Sequence, residues 1–295
     1  MPVIGDRPEL SVKAVIYATD FSLCSQNAGL YAASLARYFS ARLLVAHAFI
    51  LSQAAMEVEV DDKLVSRQRT DLQYLLARKA SQLAPEGIDA IPELVDGAPD
   101  EAIPKLAAKH APSLIVMGTH GGGRIQRGVI GSVAEKILRS TPWPCLTVGP
   151  QVPSAPHRKT PFRRILYATD FTPAAAHAAA YAVSFAEAFG AKIDILNVIR
   201  GKAVEHPDRL SDLRTRFYTA LNNLIPQQAK EFCDPRTFVE VGKAHAQILR
   251  HVTERSIDLL VLGIHKSAHV DMEMRLSGAF QLIADATCPV LTIRG

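Results

Sequence analysis

Gly118, Gly121, Gly131 and Ser132 stand in a G-x2-G-x9-G-S pattern, a spacing that lets bare main chain close on an anion. The first two glycines follow the apolar run Ser113–Met117, where loss of the β-carbon leaves backbone N–H groups free to approach a charged oxygen. The third, with Ser132, opens the helix-like stretch Ser132–Arg139, whose free amides and positive dipole end favour negative charge. The Ser132 hydroxyl can cap that helix or donate to a phosphate oxygen. A glycine-rich surface loop ahead of an ordinary capped helix has the same spacing, so the pattern alone leaves both readings open. Two commoner nucleotide loops are missing from the sequence. Gly118–Gly123 is followed by Arg124-Ile125 rather than by Lys-Ser/Thr, and Gly121 and Gly123 are followed by Gln126 rather than by a third glycine. This argues against a P-loop NTPase and a classical dinucleotide-dependent dehydrogenase.

Other residues around the pattern offer weaker chemistry. Arg124 and Arg127 lie inside the glycine loop and could neutralise phosphate charge, although exposed loop arginines are commonly just solvated. His120 could donate to a phosphate or serve loop structure, and His47, ending a strand, reads as a satisfied, half-buried histidine. His265, His269 and Asp271 have metal-ligand spacing but no third defined histidine or cysteine ligand. Asp20 is the acid whose position suits Mg²⁺ held through a nucleotide, since that ion prefers phosphate oxygens plus one carboxylate. No G-x-S-x-G elbow and no Cys/His signature occurs, so no catalytic residue is assigned and Ser132 reads as a phosphate ligand rather than a nucleophile.

These residues need elements to position them, and the chain writes those elements twice. Tyr17-Ala-Thr-Asp-Phe21 returns as Tyr167-Ala-Thr-Asp-Phe171, and Pro144-Cys-Leu-Thr-Val148 is matched by Pro289-Val-Leu-Thr-Ile293. A repeat this long means two similar domains rather than a solenoid of short units. We divide the chain into a domain over 1–150, a Pro-rich linker over 151–161 and a domain over 162–295. In the first copy, strands are expected at Ala14–Ala18, Leu43–Phe49, Ile88–Val95, Ser113–Met117 and Cys145–Val148. Helices are expected from Asp20/Ser22 to about Ser40, over Asp62–Leu83, from Pro99 and over Ser132–Arg139. The second copy repeats the order, with strands at Ile165–Ala168, Ile193–Val198, Phe238–Val241, Leu259–Leu262 and Val290–Ile293. Short apolar strands alternating with helices imply an α/β fold with a parallel sheet covered on both faces. Ligands of such sheets sit at strand carboxyl ends, where Asp20, His47-Ala48 and Gly118 all fall.

Composition narrows the function classes. The 295 residues suffice for two ordinary cores, and 48% hydrophobic with 21% charged residues describes a globular protein. A net charge of +4 without a basic, aromatic-interleaved run gives no footprint for nucleic acid. No apolar run approaches bilayer length, and Met1–Asp6 lacks the apolar core of a signal peptide, so no membrane partner and a cytoplasmic location are expected. The four cysteines, Cys24, Cys145, Cys233 and Cys288, are scattered and read as buried thiols.

On the strand Val15–Thr19 with Asp20, the glycine motif and the closing segment Pro144–Val148, the sequence resembles the universal stress protein family in its tandem form. The resemblance spans both copies. It implies two doubly wound domains, each a five-stranded parallel sheet of order 3-2-1-4-5 with flanking helices, of the adenine nucleotide alpha hydrolase-like type. It also implies pairing of the domains through their last strands, giving an internal pseudo-dimer that could dimerise further. Family members that keep the glycine motif bind ATP. Carried over by residue, Asp20 would hold ribose or a metal-bridged phosphate, the Ala48 main chain would meet the adenine edge, and Gly118, Gly121, Gly131, Ser132 and the Val133 amide would cradle phosphates. His120 and Arg127 complete the expected nucleotide set, and Gly97-Ala98-Pro99 matches a loop lying alongside it. The second copy departs, with Lys266 for Gly121 and Leu276 for Gly131, although Gly263, Ser277 and Asp170 remain. The resulting expectation is an ATP-binding (or ADP- or AMP-binding) protein of the stress response that regulates an unknown protein partner rather than turning substrate over. The alternatives are an interaction scaffold without nucleotide, or a weak ATPase.

Overall fold

Strand β1 (Ala14–Ala18) is the buried centre of the N-terminal half. In the computed structural model it pairs in parallel with β2 (Arg42–Phe49) on one side and β4 (Ser113–Gly118) on the other. The structure describes residues 11–50, 62–84, 88–121, 129–154, 160–200, 207–224, 230–264 and 270–295, with backbone alone at 62, 207–209, 231–232 and 270–277. β3 (Ala90–Asp96) flanks β2 and β5 (Cys145–Val148) flanks β4. The C-terminal half repeats this with β6 (Arg164–Ala168), β7 (Lys192–Ile199), β8 (Arg236–Val241), β9 (Leu259–Ile264) and β10 (Val290–Arg294). One ten-stranded sheet results, in the order β3-β2-β1-β4-β5-β10-β9-β6-β7-β8. Each half is parallel with order 3-2-1-4-5, as expected, and the halves meet where β5 and β10 pair antiparallel.

Helices cover both faces because the strands are apolar on both. One face carries α1 (Leu23–Phe39), α2 (Asp62–Leu83), α5 (Pro173–Phe189), α6 (Pro207–Leu224) and the short α7 (Lys230–Cys233). The other carries α3 (Pro99–Lys109), α4 (Ser132–Ser140), α8 (Ala244–Glu254) and α9 (Val270–Asp285). Each face has its own core, and each core runs through both halves. On the α1/α5 face, Tyr38, Phe39, Phe185 and Phe189 form an edge-on aromatic cluster, and the Tyr38 hydroxyl donates to the Ala188 carbonyl. The residues expected to be linker are partly bolted down: Asn27 Nδ2 donates to the Val152 carbonyl at 2.9 Å and Tyr31 O–H to that of Pro153 at 3.1 Å. All four cysteines are buried and none is in a disulfide. Burial pushes the Cys288 thiol up to about 12.

Helix boundaries follow local chemistry. Ser22 caps α1 by accepting from the Ser25 N–H, and Thr172 does the same for α5 with Ala175. α1 ends at Ser40 in the left-handed region (φ 51°), the place Gly190 takes after α5 (φ 59°). Inside α3, Pro104 has no N–H to offer the Asp100 carbonyl. That carbonyl accepts instead from Ser140 Oγ at 3.2 Å, which ties the end of α4 to the start of α3. The expected third strand begins two residues later than Ile88, at Ala90, and runs on through Asp96.

Candidate functional site

At the carboxyl ends of β1, β2 and β4 lies a cleft of about 370 Å³. Asp20, Ala48, Gly118, His120, Gly121, Gly131, Ser132 and Val133, widely separated along the chain, all line it, as does Pro99. Arg124 and Arg127, and with them His265 and His269, lie outside the described residues. Among the described residues no group of His, Cys, Asp and Glu is arranged to hold a metal ion by itself.

The base of the cleft is set by a sharp exit from β1. Phe21 adopts φ 64°, an uncommon region for a bulky residue. Its N–H donates to Thr19 Oγ1 at 3.0 Å. Buried Thr19 is held in turn by the Tyr17 hydroxyl at 3.1 Å and Ser25 Oγ at 2.9 Å. The turn leaves Asp20 exposed at the rim, with Oδ1 accepting from the Ser22 N–H at 3.0 Å. Sequence reasoning did not single out this Tyr17–Thr19–Ser25 network, although Tyr-Ala-Thr-Asp-Phe recurs intact in the second copy.

His47, which also lines the cleft, is half-buried and satisfied, as its position suggested. Its Nδ1–H donates to the Thr19 carbonyl at 2.7 Å, and its ring lies 5.0 Å from that of Phe21. The last bond between β1 and β2 runs from the Thr19 N–H to the Ala46 carbonyl, 2.9 Å. Main-chain groups alternate sides along a strand, so those of Ala48 face the side that β1 has just left. Ala46 and Ala48 add only methyl groups there, and Ile103, Met117 and Ile137 supply an apolar wall.

The glycines have three different reasons to be glycine. A β-carbon on Gly118 would come 2.9 Å from the Ser25 nitrogen, so this residue permits close packing of α1 on β4. On Gly121 it would lie 2.6 Å from Asp20 Oδ2, inside the cleft. On Gly131 it would lie 3.0 Å from the Thr119 carbonyl, which accepts the Gly131 N–H at 2.8 Å.

Gly131, not Ser132, is the N-cap of α4, and no side chain caps that helix. The Glu135 N–H starts the helical ladder on the Gly131 carbonyl at 2.9 Å, so the amides of Ser132, Val133 and Ala134 have no ladder partner. All three residues line the cleft. Beside them His120 is only 8% exposed. Its Nδ1 is 2.8 Å from Thr119 Oγ1, while its buried Nε2 has no partner among the described residues. The uncapped amides at the start of α4 suit this end of the cleft to an anion.

The model of the universal stress protein family matches residues 11–149 and again 161–294. This chain belongs to the universal stress protein family. Relatives include a universal stress protein of Methanocaldococcus jannaschii, 29% identical over 46% of this chain and 81% of its own length. Another, from Thermus aquaticus, is 31% identical over 46% of this chain and 98% of its own. The crystal structure of a universal stress protein from Archaeoglobus fulgidus shares the fold over 96% of this chain and 98% of its own, with a TM-score of 0.73 at 21% identity.

The second universal stress protein unit keeps the β1-type turn but not the cradle. Phe171 has φ 59°, Asn197 Nδ2 replaces His47 in donating to the Thr169 carbonyl (2.9 Å), and Asp170 Oδ1 accepts from the Thr172 N–H. Gly263 is retained because its β-carbon would strike the Ala174 carbonyl at 2.3 Å, the same packing need as Gly118. The helix start that forms the cradle in the first unit is shifted in the second. α9 already begins at Val270, so Leu276 and Ser277 lie within the helix and the amides after them are taken up by its ladder.

Proposed function

We propose that the cleft of the first unit binds an adenine nucleotide, ATP before ADP or AMP, and that the protein acts in stress response through nucleotide-dependent interaction. In this reading the chain divides into a binding unit over 1–150, a linker over 151–161 and a degenerate unit over 162–295. The observation that carries it is the uncapped start of α4, whose first three residues line the cleft together with Gly118, Gly121 and Gly131. The amides of Ser132, Val133 and Ala134, with His120, would hold phosphate oxygens, and Gly121 and Gly131 keep that hollow free of side chains. The Ala48 main chain offers hydrogen bonds to the edge of a base lying between the methyl groups of Ala46 and Ala48 and the wall of Ile103 and Ile137. Asp20, one oxygen engaged by Ser22 and the other beside Gly121, would take ribose hydroxyls or a Mg²⁺ carried by the phosphates.

Binding rather than turnover is favoured by the inventory of the wall. Asp20 is its one carboxylate among the described residues, and a carboxylate engaged with ribose or Mg²⁺ is not free to activate a water. The fold has no helix among its described residues that is long and apolar enough to cross a membrane. The natural test is equilibrium dialysis of labelled ATP against the full chain and against Gly121→Lys, which copies the second unit. The variant is expected to lose ATP retention while keeping the wild-type melting profile; undiminished retention would overturn the reading.

A further inference from the structure

The C-terminal cleft, of about 490 Å³, keeps the strand ends but changes both floor and charge. Ala18 pairs with Ala46 and Ala168 with Leu196, so Leu196 and Val198 stand where Ala46 and Ala48 line the first cleft. A leucine and a valine thus replace two alanines on the floor of the cleft. With the helix amides also withdrawn by the early start of α9, neither the base contact nor the phosphate contact of the first cleft is reproduced.

Cationic side chains appear in their place. Arg200, just after β7, and Lys243, the N-cap of α8, line the cleft and are exposed. The first cleft has no lysine or arginine among its described lining residues. Neither Arg200 nor Lys243 has a carboxylate partner among the described residues. The neighbouring acids are already engaged: Asp170 Oδ1 accepts from the Thr172 hydroxyl at 2.5 Å, and Asp285 Oδ2 lies 3.0 Å from His245 Nε2. Thr169, Asp170 and His245 also line the cleft, and the rest of its wall is largely apolar, with Leu196, Val198, Ile248, Leu262 and Leu282. Two cations without a carboxylate partner among the described residues, at the mouth of a largely apolar hollow, complement a compact apolar body with one negative group, through charge-assisted hydrogen bonds and burial together.

We infer that the C-terminal cleft binds a small organic anion, its carboxylate, phosphate or sulfonate group held by Arg200 and Lys243 and its apolar body resting on Leu196, Val198 and Leu282. This site is independent of nucleotide binding in the first cleft.

The full chain, saturated with ATP, is titrated with anilinonaphthalene sulfonate, which carries a permanent negative charge. N-phenyl-1-naphthylamine, the same ring skeleton without the sulfonate, is titrated in parallel. One saturable sulfonate site per chain is expected. The double variant Arg200→Glu/Lys243→Glu should weaken the sulfonate at least tenfold and leave the neutral dye within twofold. Gly278→Phe should abolish both: a β-carbon there meets nothing within 4 Å, so the ring can enter the cleft, and the helix gains from losing a glycine. Thermal unfolding verifies that both variants are folded. No saturable sulfonate binding, charge reversal that leaves it unmoved or weakens both dyes alike, or binding that survives Gly278→Phe would each overturn the assignment.

Discussion

Gly121 and Asp20 share one small volume: a β-carbon on the glycine would sit 2.6 Å from Oδ2 of the carboxylate. Residues 101 positions apart therefore constrain each other at the rim of the cleft. Asp20 is exposed, so its side chain can swing away at little cost. Gly121→Ala is expected to weaken ATP about tenfold, or about 1.4 kcal/mol, while changing stability by no more than about 0.5 kcal/mol. Paired ATP titrations and urea unfolding of wild type and variant check this; a large stability loss would mean that the glycine serves packing instead.

Gly118 and Gly263 behave in the opposite way. Each faces the backbone of a helix across the sheet, at 2.9 Å from the Ser25 nitrogen and 2.3 Å from the Ala174 oxygen. Alanine at either position should cost roughly 1–3 kcal/mol, the usual range for overpacking. Denaturant midpoints measure it. A neutral Gly263→Ala would contradict the packing explanation, since that unit has no cradle to preserve.

How much of this was legible in the sequence depended on whether neighbours along the chain or across it decided the matter. The doubling followed from Tyr17–Phe21 recurring as Tyr167–Phe171 and the strand order from the family resemblance, and eight of the nine nucleotide-set residues meet in one cleft. The packing role of Gly118 was not legible because its steric partner lies on α1, although survival of Gly263 in a unit that lost the other glycines was a usable signal. The early start of α9 also had a trace in Val270–Leu276, a stretch without glycine or proline. Arg200 and Lys243 left no such trace, because only the fold brings the ends of β7 and β8 to one hollow.

A buried charge network in the second unit was equally invisible. Asp194 Oδ2 accepts from His251 Nε2 at 3.2 Å and Arg255 Nε at 2.5 Å, and both donor side chains lie against Phe238. Leu44 holds the matching position in the first unit. Removing the acid alone, as in Asp194→Ala, should cost roughly 2–3 kcal/mol, below the usual range for a broken buried pair because Arg255 reaches solvent. The double change Asp194→Leu/His251→Leu is expected to recover at least half of that loss. Calorimetric melting of the three proteins decides the point.

The same network sets a pH dependence. Burial alone would push the Asp194 carboxyl up, but hydrogen bonds from His251 and Arg255 outweigh it and hold the group below its ordinary value. A depressed folded value means that the contribution is complete above the unfolded carboxylate value of about 3.9 and fades as pH falls through the lower folded one. Wild type should therefore lose stability below about pH 4 more steeply than Asp194→Leu/His251→Leu. Parallel acid-unfolding curves would refute the network's role.

His47 and Asn197 perform one task, donating to the carbonyl of Thr19 and of Thr169 at 2.7 and 2.9 Å. His47→Asn should keep that bond and lower stability by no more than about 1 kcal/mol, whereas His47→Ala should lose roughly 1–2 kcal/mol. ATP affinity should stay within a few-fold in the asparagine variant, as titration would show; a collapse there would make the imidazole a direct nucleotide contact.

Calorimetric titration of the intact chain with MgATP tests the central claim most directly, because it counts competent clefts. Saturation at one nucleotide per chain, removed by Gly121→Lys, is the predicted result. No heat of binding, or two equivalent sites per chain, would contradict it.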